Sequence, residues 1–245
     1  MKRVLLPLVF ALFSTLLWAQ WNGSTATAPA QSGGAYQITS AENLAWVAQQ
    51  SKSNSFAGVR FVLTQDIDLN HKQWTPIGNA SYPFQGQFDG GCHAINNFYY
   101  FAEAKAENVG LFGVIGNNGR VANVAMGIKA ADAATAVNGN YNNGMLLADD
   151  AQNAGIIAGI NRGTVTHVIN LMGLNSFGAG NIGTLIGTNE GTLEYSYNVG
   201  VLSAGSATAG GGLVGDNSKG TIRMCYNVGY ANQSRSEERR VGKEC

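Results

Sequence analysis

Asp66 and Asp68 stand two apart in the segment Asp66-Ile67-Asp68-Leu69, so on an extended strand both carboxylates face the same side. Joined by Asp89, they would form a carboxylate cluster of the kind that binds Ca²⁺ or divides acid and base work. The ordinary reading of the same three residues is a structural or solvated role. His71, His93 and His167 are scattered and no HExxH occurs, which excludes a zinc protease of that type from this stretch of chain. A lone histidine in a turn is ordinarily a hydrogen-bonding residue. Gly178-Ala179-Gly180-Asn181-Ile182-Gly183 matches GxGxxG by letter. A dinucleotide site also needs a following helix, and Thr184-Leu185-Ile186-Gly187-Thr188-Asn189 is not a helical pattern. With no Walker A sequence and no GxSxG elbow, no cofactor, no metal and no catalytic residue is expected.

The elements that position these residues repeat along the chain. Gly155, Gly183 and Gly211 are 28 residues apart, as are Gly159, Gly187 and Gly215, and Asn161, Asn189 and Asn217. Asn170, Asn198 and Asn227 follow at 28 and 29. A fainter copy around Gly113 precedes an Ala/Asn-rich insertion at about 129–150. Each copy holds short apolar segments separated by Gly/Asn turns, without the 10 to 12 uninterrupted residues that a helix requires. This predicts an all-β fold, a parallel β-helix of roughly seven coils over residues 36–232. Stacking places equivalent positions about 4.8 Å apart, so asparagines form hydrogen-bonded ladders and Ile, Leu and Val fill the interior. Thr164, Thr192 and Thr221 fall in one column, but Thr166 is matched by Glu194 and Arg223, which breaks the paired threonine face that ice binding would need. Upstream, Ser40 is a candidate N-cap, and Leu44, Val47 and Ala48 form the apolar face of a short helix able to cap the first coil. Trp74, Phe84, Phe88 and Phe98 are candidate core aromatics.

Composition agrees with this reading. The 245 residues include 33 Gly and 25 Asn but only 4 Pro, with 12% charged and 45% hydrophobic side chains. Residues 21–233 carry 9 basic and 12 acidic side chains, a balance that gives nucleic acid no purchase. Residues 1–19 read as a secretory signal peptide, with Lys2 and Arg3 before an apolar run too short to span a membrane. Residues 20–35 read as a linker and 36–233 as the repeat domain, which is expected to continue beyond Gln233. Residues 234–245 hold seven charges in twelve positions and resemble a vector- or adaptor-derived tail. Cys245 belongs to that tail. Cys92 and Cys225 lie several rungs apart and are expected to be buried free thiols.

One ordered series is specific: YQITSAENLAWVA, FVLTQDIDLN, WTPIG, PFQGQFDG, GCHAINNF and GLFG. Gly110-Leu111-Phe112-Gly113 and Gly212-Leu213-Val214-Gly215 carry a Gly-Leu-x-Gly core, and Ile156–Gly159 and Thr184–Gly187 are degenerate copies. Over nearly the whole of residues 36–232 the chain resembles the secreted bacterial proteins with GLUG-motif repeats. The resemblance implies a right-handed β-helix on a secreted or cell-surface protein, adhesin-like or a stalk, and nonenzymatic. It implies a host surface protein or glycan as partner, no membrane span after leader removal, and a monomer. Some such proteins are the noncatalytic part of immunoglobulin-cleaving metalloproteases, a second reading that a downstream catalytic domain would distinguish. A third, a β-helical polysaccharide lyase or hydrolase, would rest on Asp66, Asp68 or Asp89. The family's Phe-Asp-Gly-x-Gly-His pattern has Cys92 in place of its second Gly, so Gly91 is expected to supply the positive φ at that turn.

Overall fold

Two- to four-residue apolar segments flanked by Gly and Asn are too short for helices, and the chain forms mostly strands of that length, with longer ones at Gln87–Asn96 and Arg120–Met126. The structure, a computed structural model, describes residues 20–101, 105–127, 144–178 and 180–233. The expected signal peptide at 1–19, the expected tail at 234–245 and most of the insertion lie outside them.

The fold is all-β with parallel sheets. A twelve-stranded sheet has a main path from Ala30–Ser32 through Ala35–Ile38, Arg60–Leu63, Gln87–Asn96, Arg120–Met126, Thr164–Thr166 and Thr192–Glu194 to Thr221–Arg223. A five-stranded sheet joins Phe98–Phe101, Gly144–Leu147, Gly173–Ser176, Leu202–Ala204 and Ala231–Gln233. Two four-stranded sheets stack the segments beginning at Asn108, Asn153, Asn181 and Ala209, and those beginning at Phe112, Ala158, Ile186 and Val214. Pairing is parallel except at the first hairpin, where Ala30–Ser32 runs antiparallel to Ala35–Ile38.

Register explains the core. Phe61, Phe88, Val121, Val165, Leu193 and Ile222 are successive partners in the long sheet. The first five are at most 1% exposed. Each such side chain contributes about 1.5–3 kcal/mol on burial. Trp74, Phe84, Phe88 and Phe98 are all in the core. The helix Ala41–Gln50 starts at Ser40, whose hydroxyl accepts from the Asn43 N–H, and buries Leu44, Val47 and Ala48.

Two boundaries differ from the sequence reading. Residues 20–35 are not a free linker: Trp21 is 4% exposed, sits edge-on to Trp74 at 6.1 Å, and its carbonyl accepts from Asn70 Nδ2. A polar Ser/Thr/Gly composition hid one large aromatic anchor. The insertion also ends earlier than 150, because Gly144–Leu147 pairs on both sides with Phe98–Phe101 and Gly173–Ser176.

The last glycine of each Gly-Leu-x-Gly copy has a steric cause. At Gly187 a Cβ would lie 2.6 Å from Ala154 N, 2.7 Å from Gly159 O and 2.8 Å from Asn181 O. Gly113, Gly159 and Gly215 face backbone just as closely, at 2.4, 2.7 and 2.5 Å. Here the chain folds back on itself too tightly for any side chain.

Candidate functional site

Asp66 directly precedes the strand Ile67–Asp68, Asp68 ends it, and Asp89 lies in Gln87–Asn96 at the start of its register shift. Asp66 Oδ1 accepts from the Ala94 N–H at 3.1 Å and lies 3.3 Å from His93 Nδ1. Asp68 Oδ1 accepts from the Asn70 N–H at 2.7 Å and from Asn97 Nδ2 at 2.8 Å. Asp89 Oδ1 accepts from the Gly91 N–H at 2.9 Å and from Asn123 Nδ2 at 3.0 Å. Each carboxylate thus fastens its own turn to the next rung. Among the described residues no group of three or more His, Cys, Asp or Glu side chains is placed to hold a metal ion, so the Asp66, Asp68 and Asp89 cluster does not form.

Cys92 is exposed rather than buried as expected, while Gly91 takes the expected positive φ at 56° and Cys92 joins it at 62°. Cys225 is partly buried and its Sγ donates to the Arg223 carbonyl; burial pushes its thiol pKa up. Neither is in a disulfide. Gly178–Gly183 offers no dinucleotide site, since a strand at Ile186–Asn189 follows where a helix would be needed.

Three asparagine rows run across the rungs. Asn161 Nδ2 donates to Asn189 Oδ1 at 2.8 Å, and Asn189 Nδ2 to Asn217 Oδ1 at 2.7 Å. Asn170 donates to Asn198 and Asn198 to Asn227, both at 2.7 Å. Asn161, Asn170, Asn189 and Asn198 are buried, and each also bonds nearby turn backbone, as Asn170 does with both Met172 N and O. A third row, Asn108, Asn153 and Asn181, was not anticipated. Its first spacing is 45 residues rather than 28, because the insertion falls inside that coil.

The outer face near Glu194 carries charge and aromatic rings in register. Arg162 and Lys219 close on Glu190 at 2.8 and 3.1 Å, holding its carboxyl below the usual range, with the Arg162 hydrogen bond the larger cause. Arg223 closes on Glu194 at 2.5 Å. His167 and Tyr195 rings stack at 5.1 Å, and Tyr197 and Tyr226 at 4.9 Å with an interplanar angle of 4°. His167, Tyr195 and Met224 all take φ between 48° and 53°. Asn123 is at φ 57° one rung before His167. Bulky residues are costly in that conformation and asparagine is not. Thr164, Thr192 and Thr221 are direct partners along the same sheet. Among the described residues no helix is long and apolar enough to cross a membrane.

No family model matches the chain. A "Putative Gly-rich membrane protein" of Evansella cellulosilytica is 37% identical over 75 residues, 28% of this chain and 9% of that protein. The match therefore spans less than a tenth of that relative's length. The crystal structure of a "putative immunoglobulin A1 protease" from Bacteroides ovatus superposes with TM-score 0.46 at 18% identity, over 82% of this chain and 77% of that one.

Proposed function

We propose that the chain is a nonenzymatic ligand-binding or stalk domain of a secreted or cell-surface protein. In this reading it is a right-handed parallel β-helix of roughly seven coils, similar to GLUG-motif repeat proteins, with the helix Ala41–Gln50 covering the first coil. The observation that carries it is the use made of the polar side chains. Asp66, Asp68 and Asp89 each accept from a backbone N–H, and the buried asparagines bond one another across rungs. Groups that would otherwise be candidates for acid, base or ligand work are engaged in holding the stack. The regular outer face is then left to present side chains to a partner.

Two measurements test this. On intact source cells, externally added protease should reach the domain, and purified protein should release no product from polygalacturonate. Cleavage of the polymer by wild type, lost in Asp68→Asn, would replace this reading with the lyase or hydrolase one. A domain shielded from protease until the cells are lysed would defeat the surface assignment.

A further inference from the structure

We propose that the rows His167–Tyr195 and Tyr197–Tyr226 form a platform for an extended, uncharged, β-linked polysaccharide lying along the stack, one sugar per rung. This deepens the ligand-binding reading above and rests on it.

The first ground is conformational. Along one turn column the chain places Asn123, His167, Tyr195 and Met224 in the left-handed region. Asparagine and histidine tolerate that region, but Tyr195 and Met224 adopt it at a cost, so folding alone does not explain their choice. An outlier of this kind points to a role for the side chain. The second ground is polar. The hydroxyls of Tyr195, Tyr197 and Tyr226 make no hydrogen bond to any described residue, while Tyr195 is 50% exposed. Stacked rings turn their edges and hydroxyls outward, giving rigid, amphipathic contact area with few rotatable bonds. Ile169, aligned with Tyr197, lies in the same row.

Period and charge select the partner. The ring centroids repeat at 4.9 and 5.1 Å. An extended β-linked hexose chain advances by close to one rung per sugar, so successive sugars, alternately flipped about the chain axis, stay in step with the rings. A peptide strand advances about 3.3 Å per residue and falls out of step. Single-stranded nucleic acid would need a positive groove beside the rings. Here Arg223 is closed on Glu194, and Arg162 and Lys219 share Glu190, so the cations beside the platform are already paired. That arrangement complements a neutral chain rather than a polyanion.

The test is calorimetric titration of the full chain with cellohexaose and with chitohexaose, using polygalacturonate as the charged comparator. At least one of the two neutral hexamers should bind, and polygalacturonate should bind more weakly. Tyr195→Asn, which installs the residue found at position 123, should weaken binding about tenfold or more while the melting temperature holds or rises. Tyr82→Ala, at an exposed tyrosine away from the platform, should change nothing. If Tyr197→Ala does not fold, Tyr197→Phe keeps the ring and removes the hydroxyl, and should still weaken binding several-fold. Failure of both hexamers to bind, or binding indifferent to Tyr195→Asn and Tyr197→Phe, overturns the proposal. Preferred binding of polygalacturonate overturns it too. Protease accessibility on intact cells is read separately, so the surface reading survives any of these results.

Discussion

Replacing Asn189 with alanine tests the asparagine rows at an enclosed member. Its side chain is fully buried, receives a hydrogen bond from Asn161 at 2.8 Å and donates to Asn217 at 2.7 Å. It also donates at longer range to the carbonyls of Gly191 and Thr221, at 3.3 and 3.4 Å. Two good hydrogen bonds contribute about 1 kcal/mol each and the enclosed space left behind adds about 1 kcal/mol, while the Gly191 carbonyl keeps the Thr221 N–H at 2.8 Å. Asn161 keeps its second acceptor, Thr192 O at 3.2 Å, which limits the damage on that side. The expected loss is about 2–3 kcal/mol, a sizeable share of the stability of an ordinary domain. Asn217, exposed at the end of the same row, should lose only about 1 kcal/mol on the same change. Asn189→Asp keeps the shape but faces Asn217 Oδ1 with a second acceptor, and should cost at least as much as alanine. Urea unfolding of the three variants measures this. Hydrogen exchange of the Ile186–Asn189 amides reports whether loss is local, since stacked repeats open piecewise. A loss in Asn189→Ala no larger than in Asn217→Ala would refute the reasoning.

Gly187→Ala should destabilise by about 2 kcal/mol or more, because its Cβ would meet three backbone atoms within 2.8 Å; a neutral urea midpoint would show that the fold-back relaxes freely. Glu190→Gln should cost about 0.5 kcal/mol near neutral pH, as expected for partly exposed pairs. Because the folded carboxyl is held below its usual range, that contribution is present at neutral pH and is lost as pH falls through the lowered value. The gap between wild type and Glu190→Gln should therefore close in acid, and a gap that widened would contradict the assignment. Cys92, exposed, should be alkylated well before Cys225, whose thiol is partly buried and pushed up; mass mapping after a short iodoacetamide pulse decides, and the reverse order would count against the placement of both.

Much of the architecture was legible because the repeat is nearly exact in the later copies. The rows through Asn189 and Asn198 keep spacings of 28 or 29, which period alone exposes. The row Asn108, Asn153 and Asn181 stayed hidden because an insertion shifts its first step to 45. Trp21 was missed since nothing in its polar surroundings signals a partner, and the contact with Trp74 is far away in sequence. The carboxylates were legible as residues but not in role: one short polar side chain serves catalysis or a turn equally, and only the Ala94, Asn70 and Gly91 N–H groups decide. The left-handed column was invisible because Tyr and Met do not advertise positive φ as Gly or Asn would. Cys92 fell to the same blindness, having been read as a substitution that Gly91 alone must accommodate.

The stacking of equivalent residues from adjacent repeats is tested most directly by cross-linking in a Cys92→Ser, Cys225→Ser, Cys245→Ser background. Thr164 and Thr192 are register partners on neighbouring parallel strands, and Thr221 is the partner of Thr192 one rung further. Neighbouring strands lie about 4.8 Å apart, within the Cα separation a disulfide accepts, whereas two rungs exceed its limit of about 7 Å. Mild oxidation should therefore close Thr164→Cys with Thr192→Cys inside one chain without lowering the melting temperature, and should leave Thr164→Cys with Thr221→Cys open. Equal yields from the two pairs, or closure of the second alone, would contradict the stack.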